Sequence, residues 1–160
     1  MLARLMFAWV DFAARKGLVD ADGREATPKE RALRTGVRGE TYAYWYLRRH
    51  GYVLVARNFR APGIKGEIDI VGYDGDVLAF VEVKTRAASA ASDSSKMPPT
   101  RPEDAVNWEK RRNLSRMARQ FLRVRRIESA NCRFDVMAIE HHAGSRPEVR
   151  LHKGAFTATQ

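Results

Sequence analysis

Four residues in the middle of the chain have types and spacing that suit chemistry on a phosphate. Glu82 and Lys84 lie two apart in a run that is otherwise as apolar as a buried strand (Val77, Leu78, Phe80, Val81, Val83), so both point to one face of it. A charged pair in such a strand is costly unless it is matched. Asp69 lies in the preceding alternating run, Glu67 to Tyr73, and the Asp74-Gly75 turn signal folds that run back antiparallel onto the next. Counted outward from the turn, Asp69 and Glu82 stand at comparable distances, so they can be neighbours. Glu40 shares a helical face with Ala43, Tyr44 and Leu47, which is the apolar face. Three carboxylates therefore fall where carboxylates are expensive.

Hard oxygen ligands at this density suit Mg²⁺ or Mn²⁺. A metal held by Asp69 and Glu82, with a backbone carbonyl such as that of Val83, would lower the pKa of a bound water and neutralise a scissile phosphate. Lys84 would orient that water or offset charge in the transition state. Glu40 would hold a second metal or a water of the first. The residues alone leave a plainer reading open. In it, Lys84 neutralises Asp69 or Glu82 as a buried ion pair, and Glu40 answers the dipole at a helix N-terminus.

The elements that must position these residues follow from periodicity and breakers. A helix is predicted over 37–50, stopped by Gly51. Strands are predicted at Tyr52 to Asn58, Glu67 to Tyr73 and Val77 to Thr85. Ala87 to Arg101, rich in Ala and Ser, reads as a loop. Pro102, Glu103 and Asp104 suit the start of a long helix running to about Arg126. A strand at Cys132 to Glu140 and a short one at Glu148 to Lys153 close the chain. Ahead of all this, residues 1–16 form a short amphipathic helix with Leu2, Leu5, Met6, Trp9 and Phe12 on one side. Residues 17–35 read as a linker broken by Gly17, Asp20, Asp22, Gly23 and Pro28. The expected organisation is an N-terminal extension, 1–34, and one α/β domain, 35–160, with a mixed sheet flanked by helices.

The 160 residues carry 29 Lys+Arg against 19 Asp+Glu, a net charge of +10. An apolar fraction of 44% excludes wholesale disorder. A single cysteine, Cys132, excludes an intrachain disulfide and a cysteine-built metal site, and is compatible with a reducing cytoplasm. The apolar run Leu5 to Val10 is too short to span a membrane, and Arg15 and Lys16 stand where a leader would have small residues, so a cytoplasmic protein without membrane attachment is expected. Two basic segments, 35–60 and 101–126, flank an acidic one, 61–100. The basic segments suit a polyanion, and the acidic one suits a cation.

On the long helix, Arg112, Arg116, Arg119, Arg123 and Arg126 recur at spacings of 4, 3, 4 and 3, one face opposed to the apolar stripe of Leu114, Met117, Ala118, Phe121 and Leu122. An all-arginine face suits bidentate phosphate contacts, although charged helix faces are more often only solvated. Arg60 and Arg86, each near a strand end, extend the candidate nucleic-acid contacts. Lys110 lies in line with the apolar stripe, where it either snorkels or reaches the catalytic face. Tyr42, Trp45, Tyr46 and Arg49 form a helical set that reads as core or dimer contact rather than as a base-stacking surface. His50, His141, His142 and His152 show no metal-site spacing.

Several motifs in order now resemble a known family. They are Arg38-Gly39-Glu40 with Ala43, Gly51-Tyr52, Asn58-Phe59-Arg60, Gly66-Glu67-Ile68-Asp69-Ile70, Phe80-Val81-Glu82-Val83-Lys84-Thr85-Arg86, and Arg133-Phe134-Asp135-Val136. Over about residues 36–156 the chain resembles the YraN-like bacterial family. That family is similar to archaeal Holliday-junction resolvases and belongs with the PD-(D/E)XK nuclease-like superfamily. The resemblance implies a restriction-endonuclease-like core and an active-site set of Glu40, Asp69, Glu82 and Lys84. Asp135 is expected to be structural, with Arg133 or a neighbouring backbone group as partner. Residues 1–34 have no counterpart in the pattern, and the loop Ala87 to Thr100 is longer than it expects.

The function expected is a Mg²⁺-dependent nuclease-like phosphodiesterase acting on DNA, branched DNA included. The alternative is a non-catalytic nucleic-acid-binding module on a nuclease fold. A weaker third reading is a scaffold that binds a protein through the N-terminal helix and the aromatics. A resolvase-like role would favour a symmetric homodimer.

Overall fold

Gly75 and Asp76 turn the chain, one residue later than the Asp74-Gly75 signal, with Gly75 at a φ of +64° and Asp74 still paired with Val77. Around that turn the computed structural model describes residues 2–16, 28–87, 106–141 and 145–158. The elements are α1 (Leu2–Lys16), α2 (Pro28–Arg49), β1 (Val53–Phe59), β2 (Ile68–Asp74), β3 (Val77–Ala87), α3 (Trp108–Val124), β4 (Asn131–His141) and β5 (Glu148–Phe156).

The five strands form one sheet in sequence order. β1–β2, β2–β3 and β4–β5 are antiparallel and β3–β4 is parallel. Parallel neighbours need a crossover, and α3 lies in it. α3 covers one face of the sheet, where Leu114, Met117 and Phe121 meet Val71, Leu78, Phe80, Phe134 and Val136. α2 covers the other, where Tyr42, Ala43 and Leu47 meet Ile70, Ala79, Val81, Met137 and Ile139. Burial on both faces explains why the central strands read as nearly continuous apolar runs. The architecture is α/β, a five-stranded mixed sheet flanked by three helices, consistent with a restriction-endonuclease-like core.

The element order agrees with the sequence pattern, and the boundaries teach more. α2 begins at Pro28, inside the segment read as linker, because proline is a good first residue of a helix as well as a breaker. The remainder of that linker, 17–27, lies outside the described residues, as do positions 88–101 of the predicted loop, His142, and Pro102, Glu103 and Asp104. α3 starts later than predicted, at Trp108, where the Asn107 side chain accepts a 2.9 Å hydrogen bond from the Lys110 backbone N–H. It ends at Val124 with Arg125 as its cap, and Arg126 follows with a φ of +55°. Arg126 therefore leaves the helical face on which its spacing had placed it.

α1 is the clearest departure. The side read as its apolar face turns outward: Leu2, Leu5, Trp9 and Phe12 are between half and two-thirds exposed. The buried side carries Phe7, Asp11 and Ala13. The Phe7 ring meets Tyr42 edge-on at 5.3 Å and Tyr46 at 5.9 Å. Asp11 Oδ1 accepts from the Tyr42 hydroxyl at 2.8 Å and from Arg146 Nε at 3.0 Å. Apolar residues occur on most sides of this helix, so periodicity alone did not choose the face. Complementarity to α2 chose it. Among the described residues, no helix is long and apolar enough to cross a membrane.

Candidate active site

The β2–β3 register pairs Asp74 with Val77 and runs outward to Ile70 with Val81. One step further along the same register sets Asp69 beside Glu82. Both are buried, Asp69 8% and Glu82 3% exposed. Alternation puts them on the α3 side of the sheet with Val71 and Phe80. Asp69 Oδ2 accepts the Val83 backbone N–H at 2.7 Å, which fixes its carboxylate against β3. Glu82 Oε1 receives two ammonium groups, Lys84 Nζ at 2.9 Å and Lys110 Nζ from the first turn of α3. Among the described residues, Glu82 Oε2 is buried with no hydrogen-bond partner.

The electrostatics follow from that crowding. Burial, and then the charge of Glu82, push the Asp69 carboxyl up to about 7, with Glu40 adding a smaller push. The Val83 N–H and Lys110 oppose the rise without cancelling it. Burial alone would lower Lys110, but the charge and hydrogen bond of Glu82 prevail and hold it above the ordinary lysine value.

Glu40 comes to the site through its neighbour. A Cβ on Gly39 would overlap Thr85 Oγ1 and lie 2.7 Å from Thr85 Cβ. Only a glycine lets α2 approach β3 this closely, and the approach brings half-buried Glu40 within electrostatic reach of Asp69. The role of Gly39 was missed at the level of sequence. Its signal was a glycine inside a helical run, which costs about 1 kcal/mol against alanine and so needs a packing reason.

Asp69, Glu82, Lys84 and Lys110 are thus brought together, with Glu40 at the margin. Lys110, counted with the nucleic-acid contacts by its charge and set in line with the apolar stripe by its spacing, reaches Glu82, the second of the two outcomes that spacing left open. Arg112, Arg116, Arg119 and Arg123 are exposed along α3. Arg60 is exposed and pairs with Glu67 at 2.9 Å. Arg86 is exposed near the end of β3.

Among the described residues, no three His, Cys, Asp or Glu side chains cluster closely enough to hold a metal ion. Two carboxylates do suit one. A hard dication beside Asp69 and Glu82 would satisfy the unpartnered Oε2 and relieve the repulsion that raises Asp69. Mg²⁺ is commonly bound by one or two carboxylates with water completing its shell. The residues present therefore fit the cation, with Glu40 outside the direct ligands.

A second group of acids lies on the other face of the sheet. Asp135 is fully buried, yet it accepts from Arg133 Nε at 2.7 Å, from Arg133 Nη2 at 3.0 Å and from the Gly154 backbone N–H at 2.9 Å. Arg133 Nη2 also reaches Asp74 Oδ2 at 2.7 Å, and Lys153 Nζ meets the same oxygen at 2.6 Å. Hydrogen bonds from Lys153 and Arg133 hold Asp74 at about 2. Asp135 is structural, with the partners expected of it: Arg133 and a backbone group.

The aromatic set on α2 is core. Tyr42 is buried, and Tyr46 and Trp45 pack against the same cluster. His50 stacks on Tyr46 at 4.1 Å, with Nδ1 2.7 Å from the Tyr46 carbonyl oxygen. His141 meets Tyr42 edge-on and His152 pairs with Val136 across β4–β5.

Comparison with known proteins places this arrangement. Residues 39–139 match the model of the uncharacterised protein family UPF0102. A UPF0102 protein of Koribacter versatilis is 43% identical over 124 residues, covering 78% of this chain and 80% of its own. One from Solibacter usitatus is 42% identical over 118 residues, covering 74% and 82%. One from Symbiobacterium thermophilum is 39% identical over 125 residues, covering 78% and 98%. The matched segment contains Glu40, Asp69, Glu82, Lys84 and Lys110, and with this much of each chain aligned the protein belongs to UPF0102, the YraN family.

Proposed function

We propose that the protein is a divalent-metal-dependent nuclease that cleaves phosphodiester bonds of DNA. The observation that carries this reading is the buried Asp69–Glu82 pair, left among the described residues with an unpartnered Oε2 and flanked by two lysines. Asp69 and Glu82 would hold Mg²⁺ or Mn²⁺, with the Val83 carbonyl as a backbone ligand. Bound there, the cation would supply positive charge to the scissile phosphate and acidify a coordinated water. The Val83 N–H keeps the Asp69 carboxylate oriented while it serves. Lys84, about one-third exposed, can turn from Glu82 to the phosphate and stabilise the charge that develops there. Glu40 adds negative field and positions water at the margin. The outer arginines of α3 hold flanking phosphates. Cutting two strands in a related geometry would use a symmetric dimer. A cytoplasmic location would bring the protein to such a substrate.

The two ammonium groups on Glu82 favour a second reading, a nucleic-acid-binding module in which lysines alone neutralise the acids. One experiment separates the two. Labelled single-stranded, duplex and four-way-junction DNA are incubated with Mg²⁺ or Mn²⁺, beside Glu82→Ala/Lys84→Ala protein. The nuclease reading expects cutting that vanishes in the variant. Binding without cutting, equal in both proteins, overturns it in favour of the module.

A further inference from the structure

The outward face of α3 carries more than its arginines. Trp108, the first residue of the helix, is 63% exposed. At about 100° per residue, Trp108, Arg112, Arg116, Arg119 and Arg123 fall within an arc of about 80°. The indole is therefore the end of the arginine row and not a stray surface residue. The Arg112 guanidinium lies 5.5 Å from the Trp108 ring centroid, which steadies the ring against the helix. The row spans about 22 Å along the axis, at 1.5 Å per residue. Glu109 is the only acid of the helix, against six basic residues.

The end that carries Trp108 is also the end that reaches the acids. Lys110, two residues on, points inward to Glu82, while Trp108 points outward from the same turn. A strand lying along the arginines would thus run toward the carboxylate site and meet an aromatic plane on arrival.

We infer that Trp108 is a stacking platform for an unpaired base, and that the nucleic acid bound along α3 is single-stranded where it meets this end. The inference rests on the nucleic-acid reading above and narrows its substrate class. Charge selects a polyanion as the occupant, since four arginines of the row have no acid among them. The ring then selects among polyanions. A duplex keeps its bases stacked internally and offers an exposed indole nothing. An unpaired base offers a π-face, and stacking of one base on an aromatic side chain contributes about 1–3 kcal/mol. Such nucleotides occur in single strands, flaps, gaps and the open centres of branched DNA.

The test uses the full chain in EDTA, so that binding is read without cleavage. The probes are a short oligothymidylate and a duplex of similar length, each followed by fluorescence anisotropy. Trp108→Ala is expected to weaken the single strand about tenfold and the duplex by less than about twofold, with the salt slope unchanged because no charge is removed. Trp108→Phe is expected to keep most of the single-strand affinity. Arg116→Glu with Arg123→Glu weakens both probes and flattens the salt slope. Equal loss on both probes, or no loss in Trp108→Ala, overturns the stacking role and leaves the nucleic-acid reading standing. Wild-type protein that binds neither probe removes both. Thermal melting of each variant checks the fold, which the exposure of Trp108 leaves free to persist.

Discussion

Two groups of buried acids share one sheet and have opposite characters. Asp135 is fully buried and saturated: arginine, a backbone amide and, through Arg133, Asp74 and Lys153 close around it. Asp69 and Glu82 are buried side by side, with one oxygen unpartnered among the described residues and one carboxyl pushed up to about 7. The first arrangement stabilises a fold. The second leaves repulsion and an unfilled lone pair that a fold alone would have no use for. Burial of an acid is thus uninformative by itself, and the completeness of its partners carries the information.

The sharpest way to break this contrast is to remove a partner from each group. Asp135→Ala should cost about 3–5 kcal/mol, because it leaves Arg133 with one carboxylate where it had two, and strands the Gly154 N–H. Urea denaturation measures it, and a loss under about 1 kcal/mol would show that the network is not structural. Next in size is the acid limb. The Asp74 carboxyl is held at about 2, below the 3.8 of an unpaired aspartate. Its contribution is therefore complete above pH 3.8 and is lost as pH falls toward 2, because the unfolded chain takes up the proton first. Discounted for partial exposure, this amounts to about 1–2 kcal/mol. Asp74→Asn should remove that slope in melts taken across the range, and an unchanged slope would assign the acid limb elsewhere. The smallest effect belongs to the other group. Asp69→Asn keeps an oxygen for the Val83 N–H and removes the repulsion with Glu82. In EDTA it should be neutral or stabilising by up to about 1 kcal/mol, while calorimetry should find Mn²⁺ binding lost. A penalty as large as that of Asp135→Ala would make the two groups alike.

Much of the candidate site was legible because its geometry is local. The Asp74-Gly75 signal announces the hairpin, and the turn that forms one residue later, at Gly75 and Asp76, sets the register that brings Asp69 to Glu82. Glu82 and Lys84 share a face by the period of a strand. What stayed hidden depends on contacts between distant segments. The choice between the two outcomes for Lys110 depends on where α3 begins, and Asn107 and Pro102 both carry helix-start signals. The buried side of α1 depends on the shape of α2. Gly39 is explained only by Thr85, which the chain supplies much later.

The parallel pairing of β3 with β4 also sets an order of assembly. The β1–β2–β3 meander closes through short turns, so Asp69 and Glu82 meet through local contacts. Lys110 comes from beyond β3, on the crossover that joins Ala87 to Asn131. Local contacts form faster than distant ones. The acids are therefore expected to meet before Lys110 joins them. The β2–β3 register does not depend on the length of that crossover. Residues added between β3 and α3 would thus leave Asp69 and Glu82 in register.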